Sequence, residues 1–261
     1  MRNIQLILGY DGTSYQGFQD QGKGTKARTI QAELEKAITT LTGEKRRIIG
    51  AGRTDAGVHA VGQSVNFYIQ AAIPLERWPY AMNAVLPPDI VVYEARERDP
   101  DFHARYMAIE KTYCYYVDNA SFPSILWQRY AYHLPYPLDV ALMQQAAEIL
   151  TGDHDFTSFM GAGSSIKNPI RRITSFTVER ELVPGGEAEG LVTGGLVKFT
   201  VKANGFLRHM VRNMVGTLLE VGRHRQPVAW VAEVLATKDR RVAGITAPAR
   251  GLWLYAVRYD R

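Results

Sequence analysis

The residues best suited to chemistry lie in one octet, Gly52-Arg-Thr-Asp-Ala-Gly-Val-His59. Its only carboxylate, Asp55, lies between two glycines, and Arg53 precedes it by two positions. Glycine permits backbone conformations with positive φ and lets a ligand come close to the chain. An aspartate held in such a turn can act as a nucleophile, as a general base or as a cap of its own turn. Turn capping is the commonest of these roles, so a catalytic interpretation needs support from the rest of the chain.

Composition restricts the class of protein. The chain has 261 residues, 46% hydrophobic and 22% charged, which suffices for one large core or two moderate ones. No apolar run has the length of a membrane span, and the start of the chain lacks a signal-peptide pattern. The single cysteine, Cys114, excludes an internal disulfide and a cysteine-rich zinc site, and the six histidines show no His-x-x-x-His spacing. We therefore expect a cytoplasmic protein without a metal site.

The charge of the chain favours an acidic partner, although only weakly. Net charge is +5 and the pI is near 9.2. Residues 1–104 carry 12 Lys and Arg against 12 Asp and Glu, whereas residues 105–261 carry 19 against 14. The excess of positive charge therefore lies in the second half.

Hydrophobic periodicity predicts a β-α-β-β-α-β order in each half of the chain. In the first half we expect a helix that begins at Thr29, a suitable N-cap. The other elements predicted there are strands at 4–8, 47–49, 63–69 and 90–93 and a helix at 78–85. In the second half the predicted elements are strands at 112–117, 173–182, 196–202 and 253–257 and helices at 139–150, 207–221 and 228–236.

This repeated order predicts an α+β fold of two ferredoxin-like (RRM-like) halves, with an extended, mainly antiparallel sheet and helices on one face. The expected domains are residues 1–104, with the Asp55 turn, and residues 105–261, with an aromatic strand and a basic helix. The halves share little residue-level similarity, so the repeat is one of pattern.

Two elements of the second half carry further candidates. Strand alternation in 112–117 puts Tyr113 and Tyr115 on one face. A core position is the simpler interpretation for Tyr115 and Tyr116, whereas Tyr113, nearest the strand start, can reach a cleft and stack on a base. On a helix over 207–221, Arg208 and Arg212 fall about 40° apart beside the apolar stripe. They are either surface arginines or partners of a partly buried carboxylate.

Basic residues that suit an RNA backbone occur in two stretches. Three lie on the glycine-rich first loop, and three follow the segment 154–159, which we interpret as a structural turn. They are Lys23, Lys26 and Arg28 in the first stretch and Lys167, Arg171 and Arg172 in the second.

Taken together, the octet and its neighbours resemble the tRNA pseudouridine synthase A family. The matches occur in order over nearly the whole chain. They are Tyr10-Asp-Gly-Thr-Ser-Tyr-Gln-Gly-Phe-Gln19, Arg28-Thr-Ile-Gln31, the octet, Asp101-Phe-His-Ala-Arg105, Lys111-Thr-Tyr-Cys-Tyr115, Asp153-His-Asp-Phe-Thr-Ser-Phe159, His209-Met-Val-Arg-Asn213 and Gly251-Leu252. The loop 184–195 looks longer than usual for the family.

The resemblance implies two fused ferredoxin-like halves, a homodimer, no membrane association, and no metal or cofactor. It implies isomerisation of uridine to pseudouridine at positions 38–40 of the tRNA anticodon stem-loop. By motif position Asp55 would be the catalytic nucleophile, Tyr113 the residue packed on the target base, and Arg212 the charge partner of Asp55. The other substrate-binding residues expected from the matched motifs are Arg53, Arg208, Phe102, His103, Arg105 and Leu252.

The chemistry agrees with the residue types present. Isomerisation breaks a C–N bond and forms a C–C bond without exchange of atoms or electrons with a co-reactant, so one nucleophilic carboxylate suffices. Attack on ribose C1′ and attack on uracil C6 both remain open. A nucleoside glycosidase would need a second carboxylate, for which Asp11 is the candidate. A pair of RNA-binding RRM-like sheets would carry the aromatic RNP1 motif, which this sequence lacks.

Overall fold

A computed structural model describes residues 1–19, 27–163, 166–181 and 195–260. Contacts divide the chain into two compact units. Unit 1 comprises Met1–Ile109 together with the last strand, from Trp253 onward, and unit 2 comprises Glu110–Leu252. The last strand therefore belongs to the unit that contains the start of the chain. A single cut after residue 104 does not describe this arrangement.

The described residues form ten strands and five α-helices, numbered here in chain order. The strands are β1 (Arg2–Tyr10), β2 (Ile49–Gly50), β3 (His59–Ile69), β4 (Ile90–Arg98), β5 (Ala108–Asp118), β6 (Tyr132–His133), β7 (Gly152–Asp155), β8 (Ile170–Glu181), β9 (Leu196–Ala203) and β10 (Leu252–Tyr259). The helices are α1 (Ile30–Thr42), α2 (Trp78–Val85), α3 (Val140–Ile149), α4 (Met210–Gly222) and α5 (Trp230–Thr237). In the stretches that the structure describes, no helix is long and apolar enough to cross a membrane.

In unit 1 the strands follow the order β4-β1-β3-β10, and β2 also pairs with β3. All these pairings are antiparallel except that of β10 with β3, which is parallel. The N-cap prediction for α1 is confirmed, because the Thr29 hydroxyl accepts a hydrogen bond from Ala32 N at 3.3 Å. Helix α2 has the predicted bounds and packs against β4. Its buried Trp78 meets the Phe67 ring edge-on at 5.3 Å.

The unit 1 sheet has one polar, buried face. Alternation along β1 and β3 turns Ile4 and Phe67 to one side and Asn3 and Asn66 to the other, and all four side chains are buried. Asn66 Nδ2 donates to Asn3 Oδ1 at 2.9 Å, and Asn3 Nδ2 donates to the carbonyl of Phe102 at 2.9 Å. These buried amides hold the segment that follows β4 against the sheet, since a buried amide left unpaired is costly.

In unit 2 the strands follow the antiparallel order β5-β9-β8-β7, and β6 pairs with β5 in parallel. Strand β5 begins at Ala108 rather than at the predicted residue 112. Tyr113, paired with Val201, thus lies in mid-strand, although it is still the tyrosine nearest the start of β5. The helix predicted over 139–150 is confirmed as α3. Asp139 is its N-cap and accepts a hydrogen bond from Leu142 N at 3.0 Å. The segment 154–159, predicted to be a turn, begins within β7 and continues as a single 3-10 turn over Thr157–Phe159.

The helix predicted over 207–221 begins three residues later, at Met210. The cause is His209, whose φ of 60° is left-handed and cannot continue a right-handed helix. Arg208 therefore lies in the turn before α4, and the prediction that Arg208 and Arg212 share one helix edge is wrong. Helix α5 occupies Trp230–Thr237, close to its predicted position. Lys23, Lys26 and nearly all of the loop 184–195 lie outside the described residues.

Candidate active site

In unit 1, Asp55 opens a tight turn between β2 and β3. Val58 N donates to Asp55 O at 3.2 Å, and Gly57 has a φ of 76°, the sign that a type II turn requires at its third residue. On the β2 side, Ala51 N continues the ladder to Ser64 O at 2.8 Å. The Asp55 side chain is half-buried, and Arg53 is exposed. The turn therefore presents a carboxylate that is partly accessible on a fixed backbone.

Buried hydrogen bonds fix the residues just before Asp55. The Tyr10 hydroxyl and the Thr54 hydroxyl are 2.8 Å apart in the core, and Gln63 Nε2 donates to Gly52 O at 2.9 Å. Phe18 N donates to Thr54 O at 3.0 Å, which ties the first loop to the turn. Burial raises the pKa of Tyr10 to about 12, so this phenol stays neutral at physiological pH. The chain segment that precedes Asp55 is thus held in place by side chains from β1 and β3 and by the first loop.

Asp11, the second carboxylate considered for a glycosidase, forms hydrogen bonds within its own turn. Its Oδ1 accepts from Thr13 N at 2.9 Å and from the Thr13 hydroxyl at 2.6 Å. The same oxygen lies 3.2 Å from Nδ1 of His59, a buried ring that stacks on Trp253 at 4.5 Å. This arrangement is an Asx-type turn cap, the structural role that aspartate most often takes in turns.

Arg28, a predicted RNA-backbone residue, is paired within unit 1. Its Nη1 lies 3.1 Å from Asp89 Oδ2, and its Nε lies 2.9 Å from Glu33 Oε1. Its guanidinium also lies 4.4 Å from the centre of the Tyr15 ring, and the Tyr15 hydroxyl donates to Asp89. These contacts hold the end of the first loop. The contact of Arg28 with RNA stays a prediction.

In unit 2, Tyr113 and Tyr115 lie on one face of β5, as alternation predicts. Tyr113 is 7% exposed, and its ring meets the edge of Phe206 at 5.0 Å. Tyr115 is fully buried and donates to Pro248 O at 2.8 Å, so its core role is confirmed. Burial raises the pKa of Tyr115, and the nearby Arg212 guanidinium opposes that rise in part.

Arg212, on the first turn of α4, is anchored to Ala247 through both its side chain and its backbone. Its Nε donates to Ala247 O at 2.7 Å, and Ala247 N donates to Arg212 O at 3.1 Å. Gly216, one turn further along, makes this close packing feasible, because a Cβ there would lie 1.8 Å from Ile245 O. Arg208, by contrast, is exposed and donates to Ala162 O at 3.3 Å. The structure thus positions Arg212 far more firmly than Arg208.

The remaining expected substrate-binding residues differ in exposure. Phe102 is 2% exposed, with its ring edge-on to Tyr259 at 5.1 Å, so its contacts are with protein. Leu252 is also buried, at 6%. His103 is half-buried and Arg105 is exposed. A direct contact of Phe102 with substrate would need a rearrangement, whereas His103 and Arg105 are accessible.

The second basic stretch lies at the start of β8. Lys167 and Arg172 are exposed, and Arg172 Nε lies 3.9 Å from Asp153 Oδ2. Arg171 is half-buried and donates to Asn168 O at 2.9 Å, and desolvation lowers its pKa. Of the three side chains, Lys167 and Arg172 are thus the more accessible to a phosphate.

The sequence profile of a family described as "tRNA pseudouridine synthase" matches residues 7–107 and 146–260, most of both units. The chain belongs to the tRNA pseudouridine synthase family. It is 46% identical over 259 residues to a tRNA pseudouridine synthase A of Acetivibrio thermocellus, with 99% of this chain and 100% of that protein covered. It is 46% identical to one of Moorella thermoacetica, covering 98% and 99%, and 44% identical to one of Streptococcus equi subsp. equi, covering 100% of both. Among solved structures, a CRISPR endoribonuclease bound to a 19-nucleotide RNA covers 84% of this chain and 97% of its own at 13% identity and a TM-score of 0.22.

The sequence alone did not single out Gly12 and Gly17, two glycines that pack closely against the octet containing Asp55. Gly17 has a φ of 97°, and a Cβ there would lie 2.7 Å from Thr54 O. Gly12 is as confined, because its Cβ would lie 1.9 Å from Val58 O. Both glycines lie in the matched stretch that begins at Tyr10, where their spacing was visible although their contacts with the octet were not.

We expect Gly17→Ala to lower both stability and turnover. Alanine at that φ is strained by about 1–3 kcal/mol, and its methyl group would also displace the backbone at Thr54. Gly43→Ala is the matched control, since Gly43 has a φ of 74° with nothing within 4 Å of its Cβ position. Urea unfolding and pseudouridine formation would measure the two effects. Equal destabilisation by both variants, with full turnover in Gly17→Ala, would show that this contact does not shape the site.

Proposed function

We propose that this isomerase converts uridine to pseudouridine at positions 38–40 of the anticodon stem-loop of tRNA, with Asp55 as nucleophile. The main support is the full-length similarity to tRNA pseudouridine synthase A enzymes. The turn geometry adds to it, because Asp55 is half-buried and partly accessible on a backbone fixed by Thr54 and Gly57.

The reaction would proceed without a co-reactant. The N1–C1′ bond of uridine breaks, uracil turns, a C5–C1′ bond forms, and the proton at C5 leaves while N1 gains one. Asp55 would form a covalent bond either to C1′ or to C6 of the base, and both routes satisfy this balance. The uridine must leave its stack before a carboxylate can reach it.

Tyr113 and Arg212 have roles of their own in this proposal. The ring of Tyr113 would pack on the extruded uracil and its hydroxyl would assist proton transfer at C5. Arg212 would stabilise the negative charge of Asp55. Support comes from the firm anchoring of each residue within unit 2, through Phe206 for Tyr113 and Ala247 for Arg212.

Further parts of the proposal concern assembly and tRNA binding. We propose that each unit has a ferredoxin-like fold. We also propose that the chain acts in the cytoplasm as a homodimer. The expected phosphate contacts come from basic residues that add affinity without selecting a base. These residues are Lys23, Lys26, Arg28, Lys167, Arg171 and Arg172.

One assay tests the reaction. The protein would be incubated with tRNA labelled in uridine, and the digested nucleosides would be separated. We expect labelled pseudouridine, confined to positions 38–40 when the sites are mapped. Release of free uracil would instead indicate a glycosidase, and unchanged uridine with intact tRNA binding would indicate a binding protein.

We expect Arg212→Ala to reduce turnover much more than Arg208→Ala. Loss of a charge that stabilises a partly buried carboxylate costs about 3–5 kcal/mol, or roughly two to four decades of rate. Arg208 is exposed, so its replacement should stay within about tenfold. Single-turnover rates at saturating tRNA would compare them, with unfolding curves as the control for the Ala247 contact. A more severe effect of Arg208→Ala would assign the role to the other arginine.

A further inference from the structure

An exposed aromatic ring lies beside the expected substrate-binding residues of unit 1. Tyr106 is 75% exposed, yet its ring is held by stacking on His103, with ring centres 4.2 Å apart and planes 30° apart. The Arg105 guanidinium lies 5.6 Å from the centre of the Tyr106 ring. A large ring that is both exposed and held in place loses little conformational freedom when a ligand stacks on it.

The orientation of His103 is itself fixed. Its Nδ1 accepts hydrogen bonds from Arg105 N at 3.2 Å and from Tyr106 N at 3.3 Å, and its carbonyl accepts from Met107 N at 3.0 Å. Two donors at Nδ1 require that nitrogen to be without a proton, which leaves Nε2 as the one that carries hydrogen. Residues 103–107 therefore form a compact turn that presents Tyr106 outward.

This turn is also anchored to the core of unit 1. Ala104 N donates to Asn66 Oδ1 at 2.9 Å, and Asn66 donates in turn to Asn3. Asn3 holds the carbonyls of Asp99 and Phe102, each at 2.9 Å. Asn3 and Asn66 are almost fully buried, so the position of the turn depends on the sheet rather than on solvent.

We propose that Tyr106, supported by His103, is a stacking platform for an unpaired base of the substrate RNA, with Arg105 placed for the adjacent phosphate. The inference rests on the proposed function, since it takes tRNA as the ligand. An aromatic face accepts any base, and a neighbouring arginine adds a charge contact to the backbone. A paired base is already stacked in its helix, so the platform selects loops and bulges over duplex.

The test compares RNA affinities of Tyr106 variants. Tyr106→Leu keeps bulk but removes the π-face, and it should weaken binding of an anticodon stem-loop by about 5- to 150-fold. Tyr106→Phe should bind within about twofold of the wild type, because the ring survives. Affinity for a blunt duplex of the same length should be nearly unchanged by either variant.

Tyr80→Leu is the matched control, because Tyr80 belongs to the same unit and is also 75% exposed. Equal affinities of Tyr106→Leu and Tyr80→Leu for the stem-loop would overturn the inference. A changed oligomeric state of Tyr106→Leu in sedimentation, with unchanged RNA affinity, would also overturn it. That result would show that the ring belongs to a protein–protein interface. A wild type that binds the stem-loop but makes no pseudouridine would overturn the proposed reaction alone, because affinity is measured without turnover.

Discussion

Asp55→Asn is expected to abolish pseudouridine formation while leaving the fold and tRNA affinity nearly intact. The amide has the size of the carboxylate but cannot serve as the nucleophile, so the rate should fall by at least about a thousandfold. The turn itself should persist, since its hydrogen bond from Val58 uses the backbone carbonyl of Asp55. Single-turnover assays with saturating tRNA, together with a binding titration, would separate the two effects.

Asp11→Asn is the matched comparison, because Asp11 lies in the same unit and is the second carboxylate considered for a glycosidase. Its Oδ1 caps a turn through Thr13, and an asparagine oxygen can accept the same bonds. We expect most of the turnover to remain. An Asp55→Asn protein that keeps more than a few per cent of the wild-type rate would refute the assignment of Asp55.

Tyr113→Phe is expected to slow turnover by about two decades or more while tRNA affinity changes only a few-fold. The ring keeps its edge-on contact with Phe206, so packing and any stacking on the base survive. Only the hydroxyl, the group proposed to assist proton transfer at C5, is removed. Rapid-quench measurements at saturating tRNA would give the rate, and a titration would give the affinity.

Tyr115→Phe provides the opposite pattern from the same face of β5. Its hydroxyl donates to Pro248 O in the core, so its removal should lower the free energy of unfolding by about 1–3 kcal/mol with a much smaller effect on turnover. If Tyr113→Phe behaved in this way instead, with stability and binding lost together, Tyr113 would be a structural residue.

The sequence predicted best what local interactions determine. Thr29 was identified as an N-cap because a side-chain oxygen three residues before a backbone donor satisfies the first turn whatever surrounds it. Helix α2 was predicted to the residue, since Pro87 and Pro88 follow an amphipathic stretch. The octet stood out for a similar reason, because its glycines and its aspartate lie within six consecutive residues of the chain.

Features determined by distant contacts were missed. His209 takes its left-handed conformation beside Gly161, where a Cβ would lie 2.8 Å from His209 Nδ1, and no local pattern predicts that contact. Phe102 was expected to bind substrate by its motif position, yet its ring is buried and Asn3, almost one hundred residues earlier, anchors its backbone to the sheet. The roles of Gly12 and Gly17 likewise became apparent only when the first loop was seen against the octet.

The parallel pairing of β10 with β3 bears on how the protein is made. Trp253 pairs with His59 and Leu254 with Ala60. Strand β3 therefore cannot pair with β10 until residues nearly two hundred positions further along the chain have been synthesised. At about 5–20 residues per second, a ribosome needs roughly 10–40 seconds to cover that distance. During this interval β3, the strand that leads out of the Asp55 turn, lacks its parallel partner β10, and the buried His59 ring lacks the indole of Trp253 that stacks on it. The nascent chain can therefore complete unit 2 before unit 1, and the turn that carries Asp55 matures only as translation nears the last strand.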